Sequence, residues 1–172
     1  MFNSENGTFY ENIQQHAIYS LMKAFIGLGV VPDMSMHINV GFVDYISKSV
    51  VLLFNREAIV NETYHIYNPY NTDLVNILTK ESLNLGVFKK STDYCKEYLQ
   101  NNYENPQYAS HINVLRTHMF CGSVVRRERH NELRIYCAKT TGVLRKLGLV
   151  WCQVNESHMM KMITHCKKVG FI

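Results

Sequence analysis

The stretch GFVDYISKSVVLLF, residues 41–54, decides how this chain is read. It is entered from MHINVGFVDY, residues 36–45, whose weak alternation of apolar and polar side chains predicts a short strand ending in a turn. From Asp44 to Asn55 the pattern becomes helical, with Asp44 as a candidate N-cap and Ser47 three positions on. A strand that turns into a helix makes a corner, and binding residues concentrate at such connections. The run Val50–Phe54 is the longest unbroken apolar stretch, far short of the ~20 residues a membrane span needs.

Upstream, Ile13, Ala17, Leu21, Phe25 and Leu28 recur with a helical period, which predicts a helix from Tyr10 to Leu28 stopped by Gly29 with Pro32 beyond. Downstream, ETYHIYN (62–68) has the β-prone alternation of a strand, and NPYNT (68–72) supplies a turn. A helix capped by Asn71 or Thr72 should follow through DLVNILTKESLNLG, ending at Gly86. VFKK (87–90) predicts a short strand, and Ser91 or Thr92 a cap for a helix running to Tyr103. NPQ (105–107) breaks the chain before a further helix over 107–121. Residues 122–136 are basic and poorly periodic, and two closing helices, in KTTGVLRKLGL and NESHMMKMITHCKKVGFI, are joined by VWCQV.

These elements make a helix-rich α+β chain of one domain over residues 1–172, with a few short strands and no internal linker or repeat. The strands are too few for a doubly wound sheet, so the chain reads as the second half of a larger unit. Its 47% hydrophobic and 19% charged residues are those of a soluble globular protein. The opening MFNSENGTF lacks a basic leader and an apolar core, so a cytoplasmic location is expected by default. Five widely spaced cysteines without a CxxC predict reduced thiols rather than disulfides or a zinc knuckle.

The net charge of +4 is unevenly spread, with eight Arg or Lys from Arg116 to Lys146 against Glu128 and Glu132. That imbalance suits an acidic partner. Nucleic acid is not expected, because the segment has only Phe120 and Tyr136 to stack on bases. No GxSxG, HExxH or Walker sequence occurs. His158 and His165 would stand two helical turns apart, about 10 Å, too far for one zinc ion.

YSLMK (19–23) has the Tyr-x-x-x-Lys spacing of carbonyl reductases, but on the helical wheel it lies away from the apolar stripe, as a polar flank would. Gly27-Leu28-Gly29 follows a helix, whereas a dinucleotide-binding turn must follow a strand and open a helix.

Taken in order, NGTFYENIQQHAIYSLMKAFIGLGVVPD, INVGFVDYISKSVVLLF, NETYHIYNPYNTDLVNIL and TTGVLRKLGLVWCQVNESHMMKMITHCKKVGFI resemble the C-terminal, substrate-binding part of thioester reductase domains. Such domains end many nonribosomal peptide synthetases and polyketide synthases and belong to the extended short-chain dehydrogenase/reductases. The similarity covers nearly the whole chain and is weakest from 104 to 136. It implies that the Rossmann half, with its glycine-rich turn and catalytic Tyr and Lys, lies upstream and is absent here.

The resemblance further implies NADP or NAD in the complete reductase, not expected to be bound by this chain alone, and no metal. Its partners would be the upstream Rossmann half and an acyl or peptidyl carrier protein with phosphopantetheine, with no membrane. No catalytic residue is assigned; Phe9, Asn12, Phe42 and Asp44 are the candidate substrate-side residues. For each a structural role stands open: core for the two phenylalanines, helix start for Asn12, a cap for Asp44. Arg126, Arg127, Arg129, Arg145 and Lys146 are the candidate carrier-docking residues. The alternative is a non-catalytic module that docks an acidic partner through residues 116–146.

Overall fold

The computed structural model describes residues 2–9, 13, 16–54, 56, 62–117 and 137–172. The elements run α1 (Ala17–Leu28), β1 (Val30–Pro32), β2 (His37–Asn39), α2 (Val43–Phe54), β3 (Asn71–Asp73), α3 (Leu74–Leu78), a 3-10 turn (Glu81–Leu83), β4 (Phe88–Lys90), α4 (Thr92–Asn101), α5 (Ala109–Leu115), α6 (Ala138–Lys146) and α7 (Glu156–Lys168). The chain is helix-rich α+β, as its patterning implies.

Among the described residues there are two sheets of two three-residue strands. β1 pairs parallel with β4, Val30 opposite Phe88, and β2 pairs antiparallel with β3, Ile38 opposite Thr72. The parallel pair needs a long crossover, and everything from β2 through the 3-10 turn supplies it.

α1 buries Leu21, Met22, Ala24, Phe25 and Leu28, and ends where Gly29 takes a left-handed backbone, φ 69°, and donates its N–H to the Phe25 carbonyl. It packs on α5 through Gly27, where an added Cβ would lie 2.5 Å from His111 Nε2. Together with α3, β1 and α7 these helices enclose the main core, in which Phe25, Phe42, Leu74 and Ile112 are fully buried. Each such side chain contributes about 1.5–3 kcal/mol.

A second, smaller cluster joins Leu53 of α2, Leu144 of α6, and Leu149 and Trp151 of the connection between α6 and α7. It explains why ETYHIYN is not a strand: Tyr64 and Ile66 pack into this cluster. The buried Asn68 side chain donates to the carbonyls of Val40 and Cys152, at 2.9 and 3.3 Å. Side chains hold this segment where a backbone ladder was expected.

Other boundaries moved for local reasons. α1 begins at Ala17, because His16 before it has extended dihedrals. Asn71 and Thr72 belong to β3, and the cap of α3 is Asp73, whose carboxylate accepts from Asn76 N–H. α3 then stops after five residues, since Lys80 is again extended. Ser91 caps α4 as expected, accepting from Tyr94 N–H, but the helix ends at Asn101 rather than Tyr103. α5 spans Ala109–Leu115 where a helix over 107–121 was expected, the last residues of which lie outside those described.

Candidate functional site

The N-terminal segment reaches the corner between β2 and α2. Asn3 folds it into a turn, its side-chain oxygen accepting from the N–H groups of Glu5 and Asn6. Gly7, at φ 75°, then lies against the backbone of α7, where an added Cβ would stand 2.4 Å from the Lys161 carbonyl carbon. Phe2 forms a parallel bridge with Phe42, and their rings meet edge to face at 5.3 Å.

Phe42 accepts the first helical bond of α2, from Ile46 N–H, and so occupies the cap position expected of Asp44. Asp44 points elsewhere: its two oxygens accept from the N–H of Ser4 at 2.9 Å and the Ser4 hydroxyl at 2.5 Å. Lys161 of α7 closes the group by donating to the Ser4 carbonyl at 3.3 Å.

One face of α7 gathers the aromatic side chains. Phe42 packs on His158 at 4.7 Å, and Phe9 meets His165 edge to face at 4.7 Å. Phe9 also touches the buried Tyr19, at 5.1 Å. Asn155 caps α7 by accepting from His158 N–H, and His158 Nδ1 accepts in return from Asn155 N–H. Burial pushes the His158 imidazole below its ordinary pKa; the Lys161 charge adds to this and Asp44 opposes it. A cavity of about 30 Å³ adjoins this face, lined by His16, Tyr19, Met22 and Met159 among others. Burial lowers the pKa of His16 too, and its buried Nδ1 has no hydrogen-bond partner among the described residues.

Of the candidate substrate-side residues, Phe9, Phe42 and Asp44 are therefore gathered along α7. Phe42 is fully enclosed, Phe9 partly so, and Asn12 lies outside the described residues. Of the candidate docking residues, Arg145 and Lys146 stand exposed on the last turn of α6, where cations suit the helix dipole. Arg126, Arg127 and Arg129 lie outside the described residues.

The YSLMK pair is divided between two environments. Tyr19 is in the core, not on the polar flank that the helical wheel indicated, and Lys23 sits 4.8 Å over the Phe171 ring at the chain's end. Ser4 was not singled out from sequence, and His158 only as one of two histidines too far apart for a zinc ion. The spacing of Asn155 and His158, cap and third helical residue, was the one available signal for the second, and nothing local marks Ser4. Among the described residues no group of three or more His, Cys, Asp or Glu could hold a metal ion. No helix there is long and apolar enough to cross a membrane.

No family model matches the chain. A linear gramicidin synthase polypeptide of Brevibacillus parabrevis is 23% identical over 154 residues, 89% of this chain and 3% of that protein. Two solved structures share the fold, each with a TM-score of 0.75 at 18% identity. One is a thiolation-reductase di-domain from an archaeal non-ribosomal peptide synthetase, matched over 99% of this chain and 34% of that one. The other is the terminal R domain of the myxalamid PKS-NRPS biosynthetic pathway, matched over 100% of this chain and 42% of that one. The chain thus has the fold of part of such reductase-containing proteins and spans less than half of either.

Proposed function

We propose that the chain is the C-terminal, substrate-side part of an NAD(P)H-dependent thioester reductase that releases a carrier-bound acyl or peptidyl chain as aldehyde or alcohol. The observation that carries this reading is the likeness of fold along the whole chain to two reductase-containing structures of which it spans only a part.

The nicotinamide cofactor would supply hydride in the complete enzyme. The described residues do not fit it. Gly27 is occupied by its contact with His111 and Gly29 by ending α1, so this glycine pair closes a helix where a pyrophosphate cradle must open one. The work left to this chain is to bind and orient the acyl substrate. Phe9 and Asp44 border the segment that would meet the cofactor half, with Asp44 acting through Ser4, while Phe42 holds the corner rigid from within the core.

Arg145 and Lys146 carry the docking half of the proposal. Exposed cations accelerate encounter with an acidic carrier protein and fix its orientation. Reversing both to Glu should slow association with the carrier and flatten its salt dependence. An unchanged salt slope would remove these two residues from the interface.

The reading as a whole is tested by titrating the chain with NADPH while following the fluorescence of Trp151. No saturation in the micromolar range is expected of the chain alone. Reduction of a carrier-bound thioester should appear when the Rossmann half of the reductase is supplied. Micromolar cofactor binding by the isolated chain would overturn the division of labour proposed here.

A further inference from the structure

A groove with a consistent chemistry lies apart from the α7 face, on the outer side of α4. Its described lining is Lys96, Leu99 and Gln100 of α4, Tyr103 just past the end of that helix, and Arg116 just beyond α5. The space between them is about 410 Å³, within the range of small-molecule sites.

The lining is graded. Leu99 is its apolar aliphatic side chain and is 7% exposed, whereas Tyr103 is 48% exposed. The Arg116 guanidinium carbon lies over the Tyr103 ring, 4.8 Å from its centroid. That contact places a cation beside the groove, and a guanidinium can meet a carboxylate or phosphate with two N–H groups at once. Lys96 is engaged by Asp93 at 3.1 Å, whereas no described carboxylate lies within ion-pair distance of Arg116. Among its described residues the groove therefore pairs an apolar surface with a cation that has no described counter-ion.

We propose that this groove binds a single-chain amphiphilic anion, with its hydrocarbon tail laid over Leu99 and Tyr103 and its oxyanion head on Arg116. A fatty carboxylate is the simplest member of that class and an alkyl phosphate the next. A neutral chain would leave the arginine unanswered, and a small anion alone would leave the apolar surface wet. The site requires no cofactor half, so it stands or falls separately from the reductase reading.

The test titrates isotope-labelled chain with octanoate, octyl phosphate and octanol, following backbone amide shifts by NMR. Octanoate should bind saturably and move amides of residues 96–103 and 115–117. Lengthening the tail from six to ten carbons should tighten binding about threefold to fourfold per methylene. Octanol should bind at least about tenfold more weakly, since it cannot form the charged hydrogen bonds. Arg116→Gln should abolish that discrimination, and Tyr103→Leu should weaken all three ligands. Whichever of octanoate and octyl phosphate binds more tightly identifies the head group. Equal affinity for octanol, a preference that survives Arg116→Gln, or shifts confined to residues 50–54 of α2 would each overturn the proposal.

Discussion

A carboxylate in the first turn of a helix can cap its own backbone or reach across to another segment, and Asp44 does the second because Ser4 is delivered to it. The delivery depends on Gly7, which lets the N-terminal segment lie directly on α7. His158 belongs to the same assembly, with its ring against Phe42 and its Nδ1 accepting from Asn155 N–H. An accepting Nδ1 is an unprotonated one, and burial likewise holds the imidazole pKa below 6.5. The unfolded chain then takes up this proton first, so the stability His158 contributes is complete above about pH 6.5 and is lost as pH falls through the folded-state pKa. His158→Gln keeps an acceptor at the third helical position and removes the titration. Urea unfolding at several pH values should therefore give a shallower loss of stability below pH 6.5 in this variant. Part of the slope should remain, from His16 and His111, whose pKa values burial also lowers. An unaltered slope would mean that His158 titrates alike in the folded and unfolded chain.

At the scale of elements, α2 is apolar on two sides. Ile46, Ser49 and Leu53 face inward, while Val43, Val50, Val51 and Phe54 are 43%, 48%, 60% and 88% exposed. A helix with two apolar faces is ordinarily covered on both. Val51→Lys with Phe54→Ser should leave unfolding free energy within about 0.5 kcal/mol per site, as for other surface changes. The same pair should reduce concentration-dependent association measured by light scattering; equal association in variant and parent would place the adhesive surface elsewhere. Elements whose signals are local were legible in the sequence: Gly29 ending α1, Ser91 capping α4, and the short strand Phe88–Lys90. The misread ones depend on partners remote in sequence. Tyr64 and Ile66 have strand-like alternation, yet their destination is set by Leu144 and Trp151, some eighty residues later. The candidate site divides the same way: Phe42 stands at the strand-to-helix corner and Phe9 was reached only through the resemblance, but their meeting with His158 and His165 rests on how α7 packs.

Across the whole molecule the two clusters differ in size and in what they hold. The main core ties α1, α3, α5 and α7 together, whereas the second holds α6 against α2 through Leu53, Leu144, Leu149 and Trp151. The basic end of α6, proposed above for docking, is thus positioned by the smaller cluster. Leu144 is fully buried, and Leu144→Ala should cost about 2–5 kcal/mol by removing its contacts and leaving a cavity. The chain's single tryptophan sits in that cluster, so its fluorescence reports the second core, while far-UV circular dichroism reports mainly the helices of the first. In Leu144→Ala the tryptophan transition should move to lower urea than the dichroism transition, which would show that the smaller cluster can open by itself. Coincident transitions in the variant would instead make the two clusters one cooperative unit. The orientation of Arg145 and Lys146 would then be as stable as the main core.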